Sequence, residues 1–311
     1  MIVAMVLPLA VSLLLGASAP WLGHRLPPAT AVRLLTVAMV VAALASGFVL
    51  AVAGTLVVGQ IPQVAAEGHW SARVLGSGMP VPAVVGGAAA MTVCGLLMAA
   101  VRRAVLSGRD LVRAALTCRR LGPDVGGLVV IHDDEPDAYA LPGLGGRVVV
   151  STAMLRALPA GERRVLLAHE AAHLAHHHHL WVQAADVAAA ADPLLRPAAR
   201  AVQVAVERWA DEVAADEVGD RALAARALAR AGLARAAGRG RRRGASVALA
   251  GTDSAVADRA RALLAGPPPR RRALAGALAA TAVTLSVAVL VASVQTEARF
   301  EAAESAYAAA R

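Results

Sequence analysis

The stretch that decides the fold reads His169-Glu170-Ala171-Ala172-His173 and continues into a histidine run at His176–His179. Two histidines four residues apart lie on one face of an α-helix, so both imidazoles can reach a single metal ion. Glu170 lies about 100° around the helix from His169, where it can act on a water molecule without binding the metal. The spacing therefore predicts a metal site on a helix.

The residues around this motif have independent reasons to be helical. A helix is predicted from about Pro159 to about Trp181, because proline is tolerated in a first turn. Glu162 lies favourably near the positive end of its dipole. Asp192-Pro193 and Pro197 break the chain, and a second helix is predicted over 198–218.

The second helix carries Glu207-Arg208-Trp209-Ala210-Asp211, an ExxAD pattern about 34 residues after His173. The break near Pro193 would fold this helix back, so that Glu207 becomes a third ligand. Zinc suits two nitrogens and a carboxylate, and one ion per chain is expected. Asp211, one turn further on, faces the same way and can accept a proton from the far nitrogen of a ligand, with His169 the expected recipient.

The histidine run offers a competing register. His173 and His177 are also four residues apart, but Leu174 then stands where a general base would be needed. That alternative could bind a metal without hydrolytic chemistry. The preferred interpretation makes His176–His179 the polar end of the helix near lipid headgroups, with auxiliary metal binding as the alternative.

Upstream of the motif, residues 127–132 and 147–151 are short β-branched runs separated by proline and glycine. They predict two strands of a small sheet. A soluble domain is therefore expected over residues 102–272, combining this sheet with the helix that carries the motif.

The rest of the chain is typical of a membrane protein. Hydrophobic residues make up 58% of the chain, compared with roughly 45–50% in soluble domains. Segments of about 20 apolar residues can span a bilayer. Four are predicted, at about 2–19, 34–59, 81–101 and 273–294. The first has an alternative as a cleaved signal peptide, since Ala17-Ser18-Ala19 resembles a cleavage site, although a positive N-terminal region is missing.

The flanking charges predict the orientation of these spans. Arginines concentrate after the third segment and before the fourth, and the positive-inside bias assigns them to the cytoplasm. They are Arg102, Arg103, Arg109, Arg113 and Arg270–Arg272. Both termini are then extracytoplasmic, the soluble domain is cytoplasmic, and residues 295–311 form a short outer tail.

The formal net charge of +9 could indicate a nucleic-acid partner, but only 3% of the residues are aromatic, which leaves few stacking platforms. No direct nucleic-acid binding is expected. The lipid bilayer is the expected partner of the apolar segments.

With these motifs together, the chain resembles the BlaR/MecR-type membrane zinc metallopeptidases, HExxH gluzincins related to HtpX-type and CAAX-prenyl-protease-type peptidases. The likeness covers most of the soluble domain. It includes Ala140–Gly143, Arg147–Ser151, Leu158-Pro159, His169–Leu180, Asp192-Pro193 and Glu207–Asp211.

The resemblance implies a mainly α membrane protein, with four transmembrane helices and a cytoplasmic α+β zincin-like domain between the third and fourth. It implies His169, His173 and Glu207 as zinc ligands and Glu170 as the catalytic base. It also suggests that Arg147–Ser151 is an edge strand to which a substrate peptide adds.

The implied activity is that of an integral-membrane zinc-dependent endopeptidase that cleaves protein or peptide substrates at the cytoplasmic side. A transcriptional repressor, as in the sensing relatives, and damaged membrane proteins, as in the HtpX-type relatives, are both open as substrates. The penicillin-binding domain of the antibiotic-sensing members has no counterpart in residues 295–311, so direct β-lactam sensing is not expected.

Besides zinc, peptide hydrolysis needs a group that stabilises the oxyanion. Tyr139 and Arg259 are the candidates, and Arg259 also matches an arginine that follows the site in the resembling enzymes. Two other functions are weighed. One is a non-catalytic scaffold or receptor with a vestigial zinc site. The other is a zinc transporter with a histidine-rich loop, which the lack of ionisable residues within the four segments disfavours.

Overall fold

The computed structural model describes residues 2–77, 83–121, 124–143, 145–242, 249–267, 269 and 271–310, which are mostly helical. The helices are α1 (Ile2–Arg25), α2 (Pro28–Val58), α3 (Pro62–Gly68), α4 (Ala72–Gly76), α5 (Ala83–Arg120), α6 (Thr152–Ala157), α7 (Ala160–Ala175), α8 (His178–Ala191), α9 (Arg196–Val218), α10 (Arg221–Arg242), α11 (Leu249–Leu264) and α12 (Arg272–Ala308). The strands are β1 (Leu128–Ile131), β2 (Ala138–Leu141) and β3 (Arg147–Ser151), and a short 3-10 helix covers Pro193–Leu195.

Four of the described helices are long and apolar enough to cross a membrane, namely α1, α2, α5 and α12. Their most apolar parts have mean hydropathies between 1.7 and 2.5. The four apolar segments predicted from the sequence lie in these helices, except that residues 81 and 82 of the third segment, like Arg270 before the fourth, lie outside the described residues. The architecture suits a multi-pass membrane protein.

Two of these helices are much longer than a bilayer is thick. Helix α5 has 38 residues and α12 has 37. At 1.5 Å per residue each is roughly 55 Å long, against about 30 Å of hydrocarbon. Each helix therefore continues well beyond any span that it makes, and α5 ends at Arg120, shortly before the first strand.

The sheet has three strands in the order β1-β3-β2. Strand β3 is central: it pairs in parallel with β1 and antiparallel with β2. The prediction that Arg147–Ser151 forms an edge strand is therefore wrong, and β2 is the edge on that side. The sequence analysis missed β2 because Ala-Tyr-Ala-Leu contains no β-branched residue and alanine has little strand preference.

The predicted helix from Pro159 to Trp181 is in fact two helices. Helix α7 ends at Ala175, and His177 adopts a left-handed conformation with φ 50°. Such a conformation is costly for a residue with a side chain and interrupts the helical hydrogen bonds. The break redirects α8, so that His178 turns into the protein and is only 1% exposed. The prediction that the histidine run forms a polar helix end is wrong for His178.

Helices α8 and α9 form an antiparallel hairpin that packs directly on the apolar helices α1 and α2. One hydrophobic cluster contains residues of all four helices. Most of its members from α8 and α9 are alanines, and small side chains let helices approach closely. The cluster includes Leu22, Leu35, Met39, Ala185, Ala188, Ala198, Val202 and Ala205. The apolar helices α1 and α2 thus form part of the core that supports the second motif helix.

The closest approach is between Gly16 of α1 and the tip of this hairpin. A Cβ atom at Gly16 would lie 2.2 Å from the carbonyl oxygen of Leu194. No side chain, even a methyl group, fits in this position without moving the backbone. The absence of a side chain at Gly16 is therefore what lets the hairpin tip reach α1.

We expect Gly16→Ala to lower the thermal unfolding temperature of the detergent-solubilised protein, because overpacking a contact of this kind costs roughly 1–3 kcal/mol. The matched control is Gly47→Ala in α2, where a Cβ would meet no atom within 4 Å. Alanine favours a helix more than glycine does, so the control should be neutral or stabilising. Equal unfolding temperatures for the two variants would contradict the proposed contact.

Candidate metal centre and catalytic site

Two helices bring the predicted metal ligands together. His169 and His173 lie one turn apart on α7, and α9 crosses them with Glu207. The two Nε2 atoms are 3.2 Å apart. Glu207 places one oxygen 3.8 Å from His169 Nε2 and the other 3.7 Å from His173 Nε2. Among the described residues, these three form a group whose donor atoms could hold one metal ion.

This donor set fits zinc in both chemistry and spacing. Zinc bonds of about 2.0–2.1 Å in a tetrahedral site separate neighbouring ligand atoms by about 3.3–3.4 Å. The observed separations of 3.2–3.8 Å need only a small adjustment. The histidines are largely buried, while the side chain of Glu207 is 41% exposed. The open side leaves room for a water molecule or a substrate.

Asp211 and Arg259 contact the predicted ligands His169 and Glu207 and orient them. Asp211 Oδ1 lies 3.0 Å from His169 Nδ1, which is the nitrogen that faces away from the other ligands. Arg259, on α11, donates hydrogen bonds of 2.7 Å from Nε and Nη2 to the two oxygens of Asp211. Its Nη1 lies 2.9 Å from Glu207 Oε2. One guanidinium therefore orients both carboxylates of α9.

The contacts of Arg259 argue against its predicted role in stabilising an oxyanion. All three of its nitrogens are engaged by Asp211 and Glu207, and its side chain is only 15% exposed. A guanidinium saturated in this way is poorly placed to bind an oxyanion. The contacts favour a structural role beside the ligands. Tyr139, the other candidate, is 38% exposed on β2 and borders neither of the two cavities next to the site.

Glu170 lies beside the ligands without joining them. It is 6% exposed, and its carboxylate accepts a hydrogen bond from the backbone of Ala140 in β2. Arg235, on α10, places Nη2 3.6 Å from Glu170 Oε1 and also donates to the Ala138 carbonyl. The sequence analysis did not single out Arg235, because one arginine in a helix rich in alanine and arginine carries no spacing signal.

The electrostatics of these groups follow from burial and neighbours. Burial raises the pKa of Glu170, and the nearby charges of His169 and Arg235 only partly oppose it. Burial lowers the pKa of His169, but its hydrogen bond to Asp211 and the charge of Asp211 more than offset this, so the net shift is upward. Burial and the charge of His169 lower the pKa of His173 to about 4. His173 is therefore neutral and ready to bind a metal at ordinary pH, whereas a metal ion competes with a proton for His169.

His173 has a buried partner that the sequence analysis missed. His178 Nδ1 lies 3.0 Å from His173 Nδ1, and the His178 ring is in contact with Trp209 at 4.7 Å between centroids. Burial and the histidines around it lower the pKa of His178 to about 3, so it is neutral at ordinary pH. A neutral imidazole can accept a hydrogen bond from the Nδ1–H that His173 carries when its Nε2 binds a metal. Within the described residues His177, the alternative ligand, is not part of the metal-ligand group.

A cleft of about 370 Å³ opens onto these residues. Its walls are the β2 edge on one side and helices α7, α8 and α9 on the other, with Glu170, His173 and Glu207 at its base. Ala140 and Pro142 contribute the strand wall. An extended chain can therefore approach Glu170 along β2.

We expect Glu207→Gln to abolish stoichiometric zinc binding, because it replaces a carboxylate ligand by an amide. Asp211→Asn should weaken zinc binding by about 10–100-fold, as losses of such supporting hydrogen bonds do. The matched control is Glu217→Gln, which changes an exposed carboxylate on the same helix. The measurement is zinc content by mass spectrometry together with competition against a chromogenic chelator. Retention of one zinc by Glu207→Gln would contradict the ligand assignment.

A second prediction concerns His178. His178→Leu should weaken zinc binding by about 10–100-fold, because His173 loses its acceptor. His178→Asn keeps an oxygen near the position of Nδ1 and should restore most of the affinity, which a purely structural role would not predict. His179→Leu is the control within the same run. Chelator competition on all three variants checks this, and equal losses in the leucine and asparagine variants would argue against the contact.

One of the comparisons with known proteins identified a family. No curated protein and no solved structure gave a significant match to the chain. Residues 122–274, about half of the chain, match the sequence model of peptidase family M48. The matched region runs from the sheet to the start of α12 and encloses every residue of the metal centre. The sequence of residues 122–274 is that of peptidase family M48, a family of zinc metallopeptidases.

Proposed function

We propose that this protein is an integral-membrane zinc-dependent endopeptidase. The observation that carries the proposal is the convergence of His169, His173 and Glu207 on one point, with Glu170 beside them but not among them. A purely structural zinc site needs no free carboxylate in this position. The cleft along β2 supports a peptide as the substrate.

His169, His173 and Glu207 would hold the zinc ion, and Arg259 and Asp211 orient them. When bound, zinc supplies a Lewis acid that polarises a carbonyl group and makes water more acidic. The chain's own residues supply the rest of the chemistry. His178 accepts a hydrogen bond from His173 and keeps its Nε2 free for the metal.

Glu170 is the proposed proton carrier. Its carboxylate takes a proton from the attacking water and passes it to the amine nitrogen that leaves when the peptide bond breaks. Burial favours the protonated form of this carboxyl group, which helps it to hold the proton between the two steps. The positive charge of Arg235, 3.6 Å away, lowers the pKa of Glu170 and so keeps the carboxylate available as a base.

The substrate is proposed to bind as an extended strand along the outer edge of β2. Strand β2 pairs with β3 on its inner side, and its outer side faces the cleft. The Ala138 carbonyl and the Ala140 amide both lie on this outer side, where Arg235 and Glu170 hold them, so a bound peptide strand would replace these contacts with its own backbone hydrogen bonds. Backbone hydrogen bonds of this kind give affinity for a peptide with little dependence on its sequence.

The proposed membrane topology is the one that the arginine distribution predicts. The catalytic domain would be cytoplasmic, both termini would be extracytoplasmic, and the substrate would be cut at the cytoplasmic surface. Cleavage of a transcriptional repressor and removal of damaged membrane proteins both require this arrangement. Four apolar helices support the membrane part of the proposal.

We expect Glu170→Gln to retain one zinc and to lose cleavage of casein, or of the chain itself, by at least about 10²-fold, because a positioned base contributes about 10²–10⁴-fold. Wild type and Glu217→Gln are compared in the same detergent. Zinc content is measured on every sample, so that loss of metal is separated from loss of the base.

Two outcomes would count against the proposal. Full activity in Glu170→Gln would remove Glu170 from the reaction. Zinc binding without cleavage in wild type, over a panel of unfolded protein substrates, would favour a scaffold with a vestigial site.

A further inference from the structure

A second polar site lies away from the metal centre, between helices α5, α8 and α9. It is a cavity of about 470 Å³ whose lining includes four arginines and one carboxylate. The arginines are Arg102, Arg103, Arg196 and Arg200, and the carboxylate is Asp186. Its other walls are mainly alanines. Nothing in the peptidase chemistry proposed above uses this cavity.

The charges in the cavity are unbalanced. Asp186 forms an ion pair with Arg103 and also accepts a hydrogen bond of 3.2 Å from Gln203. Among the residues that the structure describes, no carboxylate lies within ion-pair distance of Arg102, Arg196 or Arg200. Three arginines that line this one cavity therefore have no carboxylate partner among the described residues.

The fold adds further positive potential at the same place. Helix α9 begins at Arg196, and its first two turns carry Ala199 and Arg200 into the lining. The N-terminal end of a helix carries a partial positive charge and attracts anions. The three unpaired guanidinium groups and this helix end act on the same volume. The cavity is thus suited to an anion with several oxygens, as a phosphate has.

The position of the cavity along α5 indicates at which level of the membrane this anion would lie. Arg102 and Arg103 directly follow the apolar stretch that ends at Val101. They therefore mark the boundary of the span. The tip of the α8–α9 hairpin contacts Gly16 of α1, within the first apolar segment. Phospholipid phosphates lie at the end of a span, the level of Arg102 and Arg103, and basic pockets between membrane helices bind anionic headgroups.

An apolar cavity of about 640 Å³ borders α5 and α8, which also line the arginine cavity. Its lining includes Ala100 and Ala191, each next in sequence to a residue of the arginine cavity, Ala99 and Ala190. The remaining walls are apolar side chains of α2, α5 and α12, such as Leu44, Phe48 and Leu97. A basic cavity beside an apolar one matches the two parts of a phospholipid.

We propose that the arginine cavity binds the phosphate of an anionic phospholipid headgroup. The bound lipid neutralises Arg102, Arg196 and Arg200 and ties α5 to the hairpin. A free phosphate ion shares the same chemistry, so the experiment must separate the two sources. The inference depends on α5 crossing the membrane and not on peptidase activity.

The test uses the full chain, purified in detergent and stripped of lipid. Short-chain phosphatidylglycerol, short-chain phosphatidylcholine and inorganic phosphate are titrated in parallel, and binding is followed by calorimetry and by the shift in unfolding temperature. The variant is Arg196→Gln/Arg200→Gln. The control, Arg164→Gln/Arg226→Gln, has the same net charge and changes exposed arginines of α7 and α10.

We expect phosphatidylglycerol to stabilise the wild type and the control alike. The double variant should bind it about 30-fold more weakly, since each arginine near a membrane contributes about a fivefold factor. Should the double variant not fold, Arg102→Gln provides a single substitution on a different helix, with a loss of about fivefold expected. Zinc content should be unchanged in all of them, which separates this result from any failure of the metal site.

Three results would overturn the proposal. They are equal affinity of the double variant and the control, equal affinity of the wild type for phosphatidylglycerol and phosphatidylcholine, and protection by inorganic phosphate at the same concentration as by phosphatidylglycerol. The last would assign the cavity to a free phosphate ion.

Discussion

Asp211 is the residue on which the rest of the metal centre depends. It is 5% exposed, and a buried carboxylate without partners is strongly destabilising. Burial alone would raise its pKa, but hydrogen bonds from Arg259 and His169 lower it to about 2. The charge is therefore kept in the interior only if α7, α9 and α11 meet at this point. The contact with Asp211 orients His169, and the same Arg259 also contacts Glu207, so the geometry of both predicted ligands follows from satisfying one buried charge.

The helices that are predicted to cross the membrane take part in the same arrangement. Arg208, next to the ligand Glu207, donates a hydrogen bond of 2.7 Å to the carbonyl of Gly23 at the end of α1. Arg33 of α2 lies over the ring of Trp209, 4.9 Å from its centroid. Trp209 in turn contacts His178, the partner of His173. The candidate metal centre is therefore supported by α1 and α2 as well as by the helices that carry it.

The sequence predicted the parts of this structure that have strong local signals. The four apolar segments, the HExxH helix and the helix carrying Glu207 and Asp211 all lie where spacing and hydropathy indicated. What it missed depends on long-range packing. Strand β2 has no strand-forming composition, and its pairing with β3 decides which edge faces the cleft. The helix break at His177 could not be predicted, because no glycine or proline lies at that position. The break places His178 in the interior, where the sequence predicted a helix surface. Arg235 reaches Glu170 from a helix about 60 residues away in sequence, which no local pattern reveals.

The hairpin also limits where a substrate can be cut. Helix α9 runs without interruption from Arg200, at the proposed membrane boundary, to Glu207 at the metal centre. Seven residues of α-helix correspond to about 10 Å. The bond to be cleaved must therefore come within roughly this distance of the lipid surface. A peptide held along β2 at such a depth is reached most easily by a chain that is itself tethered to the membrane or brought to it, because a compact folded protein would collide with the headgroups. Under the proposed function and topology, extended or unfolded segments next to a membrane would be the substrates that this geometry favours.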